Sequence, residues 1–189
     1  MPLLAAGDPL PARPRRVLVA GTSGAGKTTL ARAVAEVLGC PHVELDALHH
    51  GPGWTKRPEF EDDVRRFASG PTWAGEWQYA AVRDLLLDRA DCLVWLDLPR
   101  AVVMTRVVRR TVGRGLRGEV LWNGNVEPPF RTFLTDRDHI VRWAWRTHPR
   151  TAERVLAALA TRPDLPVVRL RTRAEVAGWV AGPLRASAG

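Results

Sequence analysis

Lysine is almost missing from this chain. Of its 28 basic residues only Lys27 and Lys56 are lysines; all the others are arginines, spread from Arg13 to Arg185. A chain-wide bias of that kind produces a formal net charge of +8 without a basic block, so the charge is weak ground for nucleic-acid binding as a primary role. Cysteine is scarce too. Cys40 and Cys92 are the only two, far apart and without metal-ligand spacing, which excludes a disulfide framework or a zinc knuckle and reads as two reduced core thiols in a cytoplasmic protein. No apolar run approaches the length needed to span a bilayer. The opening "MPLLAAGDPLPARPRR" has no basic n-region and its apolar stretch is broken by prolines, so it does not read as a signal peptide. Internal repeats and low-complexity tracts are also missing.

A globular pattern is present. The 189 residues are 46% apolar and 25% charged, enough for one domain with a sizeable core. Residues 1–14, with four prolines, read as a loose tail, residues 15–182 as one domain and residues 183–189 as a second tail. Short β-branched segments, "RVLVA" (16–20), "HVEL" (42–45), "TWAGE" (72–76), "CLVWLD" (92–97) and "PVVRL" (166–170), alternate with helix-like stretches. Such alternation predicts an α/β fold of three layers around a parallel sheet. The irregular stretch 112–132, rich in Gly, Asn and Pro, reads as a functional loop.

The strongest motif is "GTSGAGKT", which fits G-x-x-x-x-G-K-[ST] at Gly21, Gly26, Lys27 and Thr28. A β-branched strand precedes it, and a helix follows with Leu30, Val34, Val37 and Leu38 at helical spacing and Gly39 placed to end it. Glycines allow the positive-φ turns that aim successive N–H groups inward, and the helix N-terminus adds partial positive charge. Residues Gly21, Ser23, Gly24, Ala25, Gly26, Lys27, Thr28 and Thr29 are therefore expected to hold the phosphates of a nucleotide. Lys27 would reach the β- and γ-phosphates, and the Thr28 hydroxyl would ligate Mg²⁺.

Carboxylates and arginines follow. In "VELDAL", Glu44 and Asp46 would share one strand face. Asp46 would then stand at the carboxyl end of the strand, as a base for an attacking hydroxyl or an organiser of the metal's water shell. Glu76 closes the next strand and is the preferred metal-side carboxylate; Asp97 closes the one after and is either a second such acid or a cap for the helix beginning at Pro99. Arg106 and Arg110 share a helix face, and with Arg114 in the following loop they could neutralise charge on a transferring phosphoryl group.

These segments together resemble the P-loop kinases of the nucleoside-monophosphate, shikimate and gluconate kinase group. More narrowly they resemble bacterial adenylate-kinase-like proteins often labelled DNA topology modulation proteins. The resemblance rests on "GTSGAGKTTLA", "HVELDALHHGPGW", "WAGEWQYAAVRDLLLDRAD", "VWLDLPR", "RVVRRT" and "LWNGNVEP". It implies a five-stranded sheet, an acceptor-side helical region at 47–70, a lid at 110–130 bearing arginines on ATP, and Asp46 and Glu76 beside the reaction centre. By analogy with relatives of this fold, Arg173 would lie near adenine. One departure stands out: where the family pattern reads Asp-Gly-Asn-Tyr, this chain has Glu76-Trp77-Gln78-Tyr79, which reshapes the acceptor pocket. Arg57, Trp77, Tyr79 and Arg83, together with Asp46, are the expected acceptor-side residues, and Trp54, Trp73 and Trp122 fall in segments that would ring the pocket. The reading is an ATP- and Mg²⁺-dependent phosphotransferase acting on a hydroxyl or phosphate acceptor. The alternative is a regulatory or DNA-associated ATPase with no small-molecule acceptor.

Overall fold

Apolar, β-branched segments buried on both faces favour the interior of a parallel sheet, and the computed structural model, which describes residues 3–118, 120–126 and 140–189, has such a sheet. Its strands are β1 (Leu3–Leu4), β2 (Arg16–Gly21), β3 (His42–Val43), β4 (Trp73–Glu76), β5 (Cys92–Leu96) and β6 (Val167–Leu170). They run in the order β1-β6-β5-β2-β4-β3, all parallel. The sheet thus has six strands rather than the expected five. The sixth is Leu3–Leu4, which lies in the stretch read as a loose tail and pairs with Val167–Val168 at the sheet edge. Four prolines in the first fourteen residues hid a two-residue strand whose partner is over 160 residues away.

Eight helices among the described residues cover the two faces: α1 (Lys27–Leu38), α2 (Leu45–His49), α3 (Phe60–Ala68), α4 (Ala80–Arg89), α5 (Arg100–Arg117), α6 (Ile140–Thr161), α7 (Arg173–Trp179) and α8 (Arg185–Ala188). A single π-type turn, Val180–Leu184, joins the last two, so helix continues into the stretch read as a C-terminal tail. Side-chain alternation along the strands splits the core in two. Val17, Val19, Val94, Leu96 and Val168 pack with Leu30, Val34 and Trp179 on one face. Leu18, Ala20, Leu93 and Trp95 pack with Phe60, Leu86 and Val155 on the other. Cys92 is buried in the first of these layers, where burial pushes its thiol up to about 12. Cys40 is half-buried at the margin of that layer, and neither cysteine is bonded to another.

This topology positions the site. From β2 the sheet extends through β4 and β3 on one side and β5 and β6 on the other, and ligands of open parallel sheets bind at the carboxyl ends where strand order reverses. The glycine-rich loop leaves β2 at that point.

Gly24 in the loop has φ +83°, and a Cβ built there would lie 2.2 Å from Val107 Cγ2 on α5. An alanine would bring left-handed strain together with an overlap in the core. We expect Gly24→Ala to cost roughly 2–3 kcal/mol, read as a lower urea midpoint, from the same two causes. Adding Val107→Ala should relieve part of that cost; an unchanged midpoint for Gly24→Ala would contradict the packing described.

Candidate functional site

The loop between β2 and α1 is shaped for an anion. Gly24 and Gly26 have φ of +83° and +100°, Ala25 N donates to Thr22 O at 3.0 Å, and α1 opens on Lys27 with Gly26 as its N-cap. Successive N–H groups at a helix start form an electropositive nest. Burial pushes the Lys27 ammonium below its usual range, and the charges of Asp46 and Glu76 oppose that shift. The lysine therefore sits in a field set by two carboxylates from neighbouring elements.

Those carboxylates are held differently from the sequence expectation. Strand β3 stops at Val43 and helix α2 begins at Leu45, so Glu44 and Asp46 do not share a strand face. The cause is Glu76: only 2% exposed, it accepts a hydrogen bond from Leu45 N at 3.0 Å through Oε2 and so satisfies a backbone donor at the start of α2. Asp46, in the first turn of α2, accepts on Oδ1 from Gln78 Nε2 at 2.8 Å and from Tyr79 Oη at 2.5 Å. Both donors bind one oxygen, which leaves Oδ2 for other partners.

Tyr79, the only tyrosine in the chain, is held in an uncommon conformation with φ 60° at the N-cap of α4. Its ring stacks on His49 with centroids 4.0 Å apart, and its Oη lies 3.1 Å from His50 Nε2. Burial first, and then the Asp46 charge, push the phenol well above its ordinary range, so it acts as a donor. His49 is pushed the other way by burial and by its neighbour His50. The two histidines thus back the Asp46 carboxylate through Tyr79. Their contact with Tyr79, distant in the chain, leaves no local pattern in the sequence.

The other expected residues fall in several places. Arg106 Nη1 donates to Ala25 O at 3.1 Å, tying α5 to the glycine-rich loop. Arg110 and Arg114 also lie on α5, which runs on to Arg117; the first part of the expected lid is therefore helix, and residues 119 and 127–130 lie outside the described residues. Arg57 donates to Leu48 O at 3.1 Å and pairs with Asp63 at 3.2 Å, so it braces α2 against α3. Trp77 packs into the core beneath α4, with Nε1 donating to Arg83 O. The Arg83 guanidinium carbon lies 5.8 Å from the centroid of that ring. Trp73 is likewise fully buried, whereas Trp54 and Trp122 gather around His50. Asp97 accepts from Arg169 on β6, a pairing that settles what it touches. Arg173 is the first residue of α7, just after the capping Thr172.

Thr28, Glu76 and Asp46 offer hard oxygen donors, a set that suits Mg²⁺, which keeps several waters and takes few protein ligands. No group of three or more His, Cys, Asp or Glu side chains that could cage a metal occurs among the described residues.

Comparisons with known proteins agree with this architecture. A family model described as Zeta toxin matches residues 5–50, the glycine-rich loop and its flanks. A protein named "Putative adenylate kinase" from Pyrococcus furiosus is 46% identical over 54 residues, 28% of this chain and 30% of that protein. One of the same name from Thermococcus kodakarensis is 35% identical over 107 residues, 54% of this chain and 60% of that protein. The chain therefore spans less than two thirds of the length of either. An adenylyl-sulfate kinase from Chloroflexus aurantiacus is 29% identical over 160 residues, 74% of this chain and 85% of that one. Among solved structures, a gluconokinase from Sinorhizobium meliloti superposes with a TM-score of 0.52 and 22% identity, covering 93% of this chain and 95% of that one.

The chain is thus similar to P-loop kinases, adenylate and adenylyl-sulfate kinases among them. The names of these relatives point to different acceptors. No helix among the described residues is long and apolar enough to cross a membrane.

Proposed function

We propose that the protein is a phosphotransferase that moves the γ-phosphoryl group of ATP to a hydroxyl acceptor. The observation that carries this reading is Asp46. Its Oδ1 is held by Gln78 and Tyr79, its charge acts on Lys27 of the phosphate cradle, and its Oδ2 is left for an incoming group. A phosphate acceptor is already an anionic nucleophile, whereas a hydroxyl gains from a base.

In this reading the cradle N–H groups and Lys27 hold the triphosphate and take up charge as it moves toward the β-phosphate. The acceptor oxygen forms its bond to Pγ while the bond from Pγ to the β,γ-bridging oxygen breaks. The hydroxyl proton passes to Asp46, and ADP leaves. Thr28, with Glu76 acting through water, would hold Mg²⁺, which when bound shields phosphate charge and fixes phosphate orientation. Arg106, carried on α5 against the cradle, with Arg110 and Arg114 farther along, would meet the phosphates from the other side, and Arg173 would stand near the base.

The test is transfer of label from γ-labelled ATP with Mg²⁺ to separate pools of nucleosides, nucleoside monophosphates, polyols and hydroxy acids. A labelled product in a hydroxyl pool supports the reading and names the acceptor class. A product only among nucleoside monophosphates would remove Asp46 as a needed base. Labelled inorganic phosphate alone would favour an ATPase switch.

A further inference from the structure

Two stretches that are unrelated in the chain fold into the same loop. Residues 51–55, GPGWT, are closed by Gly51 N donating to Thr55 O at 2.7 Å and are flanked by an antiparallel bridge between His50 and Lys56. Residues 121–125, LWNGN, are closed by Leu121 N donating to Asn125 O at 2.7 Å and are flanked by a bridge between Val120 and Val126. Each loop has two consecutive left-handed residues at its third and fourth positions: Gly53 and Trp54 with φ 66° and 60°, Asn123 and Gly124 with φ 56° and 80°. Asparagine tolerates that region better than most residues, and the single glycine of each pair takes one of the two strained places.

The twin loops are fastened to each other. Asn125, 4% exposed, accepts from Trp54 N at 3.0 Å and donates to Gly51 O at 2.9 Å and to its own loop's Trp122 O at 2.8 Å. Three of the four hydrogen bonds an asparagine amide can make are thereby used, in a buried place where losing them is costly. Asn123 Nδ2 donates to His50 O, and Trp54 Nε1 to Val126 O at 3.2 Å. A third element joins through Glu44. Its Oε1 accepts from Arg32 of α1 at 2.6 Å and its Oε2 from Trp122 Nε1 at 2.8 Å. One carboxylate thus ties the helix of the phosphate cradle to the loop at 120–126. The rings of His50, Trp54 and Trp122 fill the angle between the loops, with centroids 5.1–6.5 Å apart.

We infer that residues 120–126 form a standing wall of the acceptor chamber, clasped to the acceptor-side loop through Asn125 and to the cradle helix through Glu44 before any nucleotide arrives. Every bond in the clasp is made between protein atoms, so none needs a phosphate. Glu44 is a positioning residue here: it holds Trp122 and touches no reacting atom. The inference rests on the phosphotransferase reading only for the word acceptor, and its test does not use turnover.

The test is hydrogen exchange, read by mass spectrometry on peptides spanning 51–57 and 120–126, in the full-length protein with and without a non-hydrolysable ATP analogue and Mg²⁺. The clasp should slow these amides at least about tenfold relative to unstructured chain in the nucleotide-free protein. Glu44→Gln should return the 120–126 amides toward the unstructured rate, because an amide cannot accept from both Arg32 and Trp122 with its two terminal atoms. Asn125→Ala should do the same for Trp54 N–H. Peptides from α1 must stay protected in each variant; if Asn125→Ala fails to fold, Trp122→Phe removes the indole donor alone and should free the same peptide. Free exchange in the nucleotide-free protein with protection gained only on adding the analogue would overturn the inference in favour of a nucleotide-closed lid. Protection that survives Glu44→Gln and Trp122→Phe would overturn it as well. Failure of the phosphotransferase reading would instead appear as absence of labelled product, with the exchange pattern unchanged.

Discussion

Replacing Asp46 by asparagine is expected to lower transfer to a hydroxyl acceptor by about 10²- to 10⁴-fold, the range a positioned base contributes, with ATP affinity nearly unchanged. Asparagine keeps the size of the side chain and the Oδ1 acceptor, so both Gln78 Nε2 and Tyr79 Oη retain their partner. What is lost is the ability of the other terminal atom to take a proton. The change therefore separates proton acceptance from geometry. Steady-state kcat with the acceptor identified from the pools, set beside ATP affinity by calorimetry, checks the expectation. A kcat within twofold of the unaltered protein would remove Asp46 as base. A collapse of ATP affinity would mean that its charge matters for the nucleotide and not for the acceptor.

Lys27→Ala is expected to act at the other end of the reaction. The ammonium is the one charged side chain of the cradle itself, and Asp46 and Glu76 both act on it. Without it two carboxylates would confront the triphosphate with no cation from α1 between them. Losing a preorganised group that meets transition-state charge costs on the order of a hundred- to thousandfold in rate, and ATP binding should weaken in parallel. Thermal unfolding gives a convenient reading: the unaltered protein should gain stability from MgATP with the logarithm of ligand concentration over its dissociation constant once that ratio is large, and Lys27→Ala should gain far less. An equal thermal shift in both proteins would remove Lys27 from the site.

The P-loop, the parallel sheet and most of the helices were legible in the sequence because each has a local signature. A glycine pattern at fixed spacing sets the cradle, β-branched runs set β2 and β5, and helical periodicity sets α1 and α5. The failures share one physical cause, determination by partners distant in the chain. Strand β3 ends two residues earlier than its apolar alternation suggests because the buried Glu76 satisfies Leu45 N and starts a helix there. Leu3–Leu4 becomes a strand because β6 offers it an edge.

At the site the same rule held. Asp46 was visible as an acid after an apolar segment, but the donors that orient it, Gln78 and Tyr79, come from the connection between β4 and α4. Trp77, which stands in place of the glycine of the related pattern, packs into the core and donates to Arg83 O, contacts that residue type alone does not give. The rings gathered around His50 come from Trp54 and Trp122, and their loops match in backbone conformation without matching in sequence. A comparison of residue types cannot find such a repeat, because Gly53 and Asn123 reach the left-handed region for different reasons.

The central claim is that the γ-phosphoryl group goes to an acceptor other than water. Its most direct measurement is the ratio of ADP formed to inorganic phosphate released, in one reaction with MgATP and the pooled hydroxyl compounds. The account expects ADP to exceed phosphate, with the surplus found as phosphorylated acceptor and abolished by Lys27→Ala. Equal amounts of ADP and phosphate with every pool would contradict it.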